Sequence, residues 1–101
     1  MSTVLEAGAL RFDVATREAA TPAHRIDLSR READLLELLM RRQGVVVLRA
    51  TIEDALYGFN EPVTPNAIEA TVARLRRKLD DAGCTGQLHT VRGVGYLLRE
   101  G

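Results

Sequence analysis

The sequence predicts an α+β domain: a small antiparallel sheet, then three helices, then a C-terminal β-hairpin. Three observations lead there. Leu10, Phe12 and Val14 alternate with Arg11 and Asp13, and Ile26 and Leu28 alternate with Arg25 and Asp27, the period of half-buried strands. Between Ser29 and Asp81 the apolar residues recur instead at helical spacing, in three stretches. Near the end, His89-Thr-Val-Arg-Gly-Val-Gly-Tyr-Leu-Leu-Arg99 reads as strand, tight turn, strand.

Taken in order, residues 4–28 form the sheet, with a turn at Thr16-Arg17, a return over Glu18–Thr21 and an interruption at Pro22. The first helix opens at Ser29-Arg-Arg-Glu32, the S-x-x-E spacing of a capping box. Leu35, Leu36, Leu39 and Met40 supply its apolar stripe, Arg41 and Arg42 suit the negative end of its dipole, and Gly44 can end it. Val45–Leu48 is either a short buried strand or an extended linker. A short second helix spans about Ala50 to Tyr57, with Ile52 and Leu56 inward. Gly58–Val63 is a loop. The third helix starts at Thr64-Pro65, a good N-cap followed by a residue suited to the first turn, and runs to about Asp81.

The 101 residues, 46% hydrophobic and 28% charged, fit one domain with a single modest core. The longest uncharged apolar run, Gly44–Leu48, cannot span a bilayer. MSTVLEAGAL has no basic segment followed by a long apolar core, so no signal peptide is expected. Cys84 is the only cysteine, which excludes an internal disulfide and fits a reduced, cytoplasmic setting. His24, His89 and Cys84 lack metal-ligand spacing, so no metal or cofactor is expected. RGVGY does not lead from a strand into a helix, which excludes a phosphate cradle. No catalytic set is visible, and an enzyme is not expected.

Fourteen basic and fourteen acidic residues give a formal net charge of zero, at face value against a nucleic-acid partner. The distribution matters more. Arg74, Arg76, Arg77 and Lys78 lie within five positions free of acids. At 100° per residue, Ile68, Val72, Leu75 and Leu79 form a narrow buried stripe on the third helix. The opposite side carries Asn66, Ala67, Ala70, Arg74, Arg77 and Lys78, with Thr71 and Ala73 at its margins. Glu69 and Arg76 share a flank, where they can pair. Small residues followed by long cations suit a helix that approaches bases in a major groove and passes phosphates on leaving it. In the hairpin, Leu88, Val91, Tyr96 and Leu98 face inward. Gly93 and Gly95 allow a tight turn, which places Arg92 at a tip slim enough for an A·T-rich minor groove. Short helix, loop, basic helix and glycine-bearing hairpin together form the order of a winged helix-turn-helix. The rival reading is a winged-helix module that docks its basic helix on an acidic protein surface.

Ala73–Leu79, ARLRRKL, followed by Thr90–Tyr96, TVRGVGY, closely resembles the RLRKKL…TVRGVGY pattern of the OmpR/PhoB family, the DNA-binding effector domains of bacterial two-component response regulators. The resemblance covers about residues 8–100 and is nearest to the QseB/PmrA-like branch. It implies a four-stranded N-terminal sheet, three helices and a C-terminal wing. By matching position it implies base-facing Asn66, Ala67, Ala70, Thr71 and Arg74; backbone contacts from Arg49, Arg76, Arg77 and the adjoining Lys78; and a minor-groove Arg92. It implies double-stranded DNA as partner, read as direct repeats by a tandem dimer of domains that are monomeric in isolation. It further implies contact of loop 58–63 with RNA polymerase, and an upstream receiver domain and sensor kinase. Residues 1–7 are read as a linker remnant ahead of a domain spanning 8–101. Ala70 and Thr71 depart from the valine and histidine common in the family, so base preference does not transfer.

Overall fold

A computed structural model describes residues 3–58 and 61–100. Strands β1 (Val4–Ala7), β2 (Leu10–Asp13), β3 (Glu18–Ala20) and β4 (Arg25–Ile26) form one antiparallel sheet in chain order. Phe12 lies opposite Leu5 on one side and Ala19 on the other. Ala7, Leu10, Phe12, Ala19 and Ile26 are buried, while Glu6–Arg11 and Glu18–Arg25 pair where the sheet meets solvent. The expectation of a linker over 1–7 gives way at Val4–Ala7: these residues pair with β2, and Ala7 is fully buried. Met1 and Ser2 lie outside the described residues.

The β2–β3 turn also binds the sheet to the helices. The Asp13 carboxylate accepts from the N–H groups of Ala15 and Thr16, and Arg17 takes φ +62°. Its guanidinium then lies 5.6 Å from the Phe12 ring centre and pairs with Asp34 and Glu37.

Helix α1 (Arg30–Arg41) starts as its sequence predicts. Ser29 Oγ accepts from the Glu32 N–H at 3.2 Å, and Glu32 Oε1 accepts from the Ser29 N–H at 2.9 Å. Leu35, Leu36 and Leu39 on α1 are fully buried in the core. Past α1, Gly44 adopts φ +83° and its N–H donates to the Leu98 carbonyl. The open question over Val45–Leu48 resolves as a two-residue strand, β5 (Val47–Leu48), leading directly into α2 (Arg49–Tyr57).

Helix α3 spans Ala67–Asp81. Its start differs from the expectation. Thr64 does not cap it; instead the Ala67 N–H donates to the Thr64 carbonyl, closing a turn through Pro65 and Asn66. Asn66 takes the cap position without a side-chain cap bond. The wing is β6 (Leu88–Val91) and β7 (Gly95–Leu98), and β7 sits centrally in the order β5-β7-β6. β7 is paired along both edges, and Leu97 is buried as well as Tyr96 and Leu98.

The two wing glycines act for different reasons. Gly93 turns at φ +73° with open space around it. Gly95 has no such backbone demand: a Cβ there would overlap the Val47 carbonyl oxygen and lie 2.9 Å from its carbon. Gly95→Ala should therefore pry β5 from β7 and cost about 3 kcal/mol, the upper range for overpacking. Gly93→Ala should cost about 1–2 kcal/mol, from the left-handed backbone alone. Denaturant midpoints of the two variants would test this order.

Candidate nucleic-acid interface

Helix α3 buries Ile68, Val72, Leu75 and Leu79 as its periodicity predicts. The opposite side presents Asn66, Ala73, Arg74 and Arg77 to solvent, with Ala70 half-buried between them. Ala73, placed only at the margin by the helical wheel, is part of this face. No aromatic or large aliphatic side chain stands among these residues.

Each flank of the helix is tied to the rest of the molecule. On the α1 side, Thr71 is 1% exposed and its hydroxyl donates back to the Ala67 carbonyl at 3.0 Å. Thr71 is thus not a base-facing residue: it lies toward the core, which its angular position near the buried stripe already allowed. Lys78 Nζ donates to the Asp27 carbonyl at 2.7 Å and to Glu32 Oε1 at 2.6 Å. Lys78, expected on phosphate, is thereby held by two acceptors of the protein while its side chain stays 37% exposed. Arg74 Nε stands 3.5 Å from Glu32 Oε2, while its side chain is 61% exposed.

On the wing side, the expected Glu69–Arg76 pair does not form. Two turns separate them, about 10 Å along the axis, and each finds a nearer partner. Arg76 donates to the Leu88 carbonyl and, at 2.8 Å, to Thr90 Oγ1, bracing β6. Glu69 pairs with Arg49, whose guanidinium also reaches Glu53 at 3.2 Å and the Pro65 carbonyl at 2.8 Å. Arg49 and Arg76 therefore spend donors on positioning α2, α3 and the wing. Arg77 and Arg92 have no ion partner among the described residues.

The wing turn closes with the Val94 N–H on the Val91 carbonyl, and the Arg49 N–H joins it by donating to the Val94 carbonyl. Arg92 is exposed at this turn. Between the wing and the helices lies an open cleft of about 300 Å³, lined in part by Arg49, Glu69, Thr90 and Arg92. The α2–α3 loop is pinned by Arg31, which stacks 3.8 Å from the Tyr57 ring centre and pairs with Glu61 at 2.7 Å. Phe59 and Asn60 of loop 58–63 lie outside the described residues.

Residues 23–98 match the family described as "Transcriptional regulatory protein, C terminal". The chain belongs to that family, of the OmpR/PhoB type. It is 45% identical over 91 residues to the response regulator MprA of Mycobacterium ulcerans, a match covering 90% of this chain and 39% of MprA. The chain spans about two-fifths of the length of the curated relatives it matches. Its structure superposes on the DNA-binding domain of CpxR from E. coli with TM-score 0.83 at 33% identity, covering 99% of this chain and all of that one. The Klebsiella pneumoniae RstA DNA-binding domain, solved in complex with the RstA box, gives TM-score 0.83 at 25% identity over 98% of this chain and 99% of that one. The winged helix-turn-helix architecture and the resemblance carried by ARLRRKL and TVRGVGY are thus established. No helix among the described residues is long and apolar enough to cross a membrane. No cluster of three or more His, Cys, Asp or Glu among them can hold a metal. Cys84 is buried, and burial pushes its thiol up from its ordinary value, away from the reactive thiolate.

Glu32 was legible as a capping residue but not as the partner of the basic helix. Lys78 is 46 residues away, and no local spacing connects them. Burial by itself would push the Glu32 carboxyl up. The Lys78 hydrogen bond, the Ser29 backbone N–H and the Lys78 charge outweigh burial and hold it below its ordinary value. A carboxyl lowered in the folded state contributes stability above its unfolded value, about 4.3, and loses it as pH falls toward the folded value. Denaturation measured across acidic pH should show this loss, and Glu32→Gln should remove the corresponding part of it.

Proposed function

We propose that this chain binds double-stranded DNA in a sequence-specific manner, as the effector domain of a two-component transcriptional response regulator. The observation that carries the reading is the outer face of α3. Small residues (Asn66, Ala70, Ala73) come first, Arg74 and Arg77 follow, and the wing holds Arg92 beside it. Small side chains let the helix backbone approach base edges in a major groove. Asn66 is suited to adenine and Arg74 to guanine, Ala70 and Ala73 to thymine methyl groups, and Arg77 to phosphate, while Ala67, expected to face bases, is half-buried against the core. Arg92 on a slim turn is suited to a narrow minor groove. Membership of the transcriptional regulatory family, and the RstA-box complex of a structural relative, support the same reading. A protein-docking face would need aromatic or large aliphatic anchors, which this one lacks.

The full regulator would add a receiver domain controlled by a sensor kinase and would work in the bacterial cytoplasm. It would place two domains in tandem on a direct-repeat operator, where an isolated domain would be monomeric. Loop 58–63 would be the contact with RNA polymerase.

Selection of the chain against random duplexes should enrich a short motif with A·T-rich flanks; retention without enrichment would refute specific recognition. With about five phosphates contacted, log K should fall against log salt with a slope of about −4 to −5. Arg74→Ala should relax preference at one base position, at a cost of about 1–3 kcal/mol. Arg92→Ala should weaken binding mainly at sites with A·T-rich flanks, and equal weakening at all sites would contradict the minor-groove role.

A further inference from the structure

Four cations stand in five positions of α3, and the fold does not leave them equivalent. Glu32 separates them. It is 2% exposed, rises from the first turn of α1, and holds two hydrogen-bond donors on one carboxylate oxygen and an ion pair on the other. Oε1 accepts from the Ser29 N–H and from Lys78 Nζ; Oε2 stands 3.5 Å from Arg74 Nε. The capping box needs the hydrogen-bonding shape of residue 32, which glutamine also supplies, but not its charge. A buried charge is costly unless paired, so the carboxylate holds on to cations that would otherwise face solvent. The Asp27 carbonyl adds a second acceptor for Lys78. Lys78 is thus drawn toward α1 with its side chain 37% exposed, whereas Arg74 is paired only at Nε and stays 61% exposed.

Phosphate attraction acts on every sequence alike and dominates nonspecific binding. Discrimination comes from side chains that reach base edges. What matters in a genome is the ratio of the two affinities. A device that withdraws one cation from phosphates while fixing another toward bases acts on that ratio from both sides.

We infer that Glu32 is a positioning residue for DNA reading: by binding Lys78 it lowers affinity for duplexes of any sequence, and by its ion pair with Arg74 it sharpens preference at one base position. The inference rests on the placement of α3 in the major groove proposed above. It gives a residue of α1 that need not touch DNA a role in specificity.

The test compares the wild-type chain with Glu32→Gln and Lys78→Met, with random-sequence duplexes as probe. Thermal melting verifies the fold of each. Glu32→Gln keeps the cap and removes the charge. It should bind the unselected pool several-fold more tightly at low salt, with a salt slope steeper by about 1 for the released lysine. Selection with it should give a motif flattened at the position that Arg74→Ala relaxes. An unchanged slope together with an unchanged motif would overturn the inference. Lys78→Met decides independently of whether Glu32→Gln folds. Its slope should equal that of wild type, because Lys78 is held by Glu32; a slope shallower by about 1 would show Lys78 on a phosphate and overturn the inference. Failure of the wild-type chain to enrich any motif would instead refute the placement of α3, a result distinct from these.

Discussion

The Glu32 carboxylate is the joint on which the interface depends. It completes the cap of the helix that fills the core and, through Lys78, anchors the second half of the helix that carries the outer face. Breaking such a pair from one side leaves a buried charge unmatched, which costs far more than an exposed pair contributes. The angle between α1 and α3 is held by this group as well as by the apolar core that both helices share. The opposite flank is held differently, by Arg49 and Arg76. These span the gaps between α2, α3 and β6 with several hydrogen bonds each, closer to solvent. One buried carboxylate and two half-exposed arginines thus orient α3 about its own axis.

The wing depends on backbone rather than charge. β5 is only two residues long, yet it places Val47 against Tyr96 and feeds straight into α2, whose first N–H meets the wing turn at Val94. The approach of β5 to Gly95 is too close for any side chain. The start of α2, the wing turn and the flank of α3 therefore form one connected unit, and Arg92 is carried on a turn that the helices brace.

Zero net charge is reconciled with a nucleic-acid face by where the unpaired cations stand. Most acids are spent in pairs within the fold: Glu6 with Arg11, Glu18 with Arg25, Asp34 and Glu37 with Arg17, Glu69 with Arg49. Arg77 and Arg92 have no such partner among the described residues, and Arg74 has only the Nε contact to Glu32. The field a ligand meets at one face is set by these residues rather than by the total.

Much of the fold was legible because its signals are local. The period of two at Leu10–Val14, the S-x-x-E box at Ser29, the four-residue stripe of α3 and the glycine turn after Arg92 each involve residues close in sequence. The signature ARLRRKL with TVRGVGY pointed to the family that the match over residues 23–98 then showed. What sequence could not decide was which polar side chains remain available. Thr71 and Lys78 sit on the same helical wheel as Ala70 and Arg74, only some tens of degrees away. Whether they face solvent or α1 depends on where α1 lies. The same holds for the role of Gly95, which follows from β5 rather than from the turn. Pattern along the chain determined the elements and the kind of surface they make. Tertiary contacts between residues far apart in the chain, Glu32 with Lys78 and Gly95 with Val47, decided which cations that surface presents, because burial and pairing are properties of the assembled core.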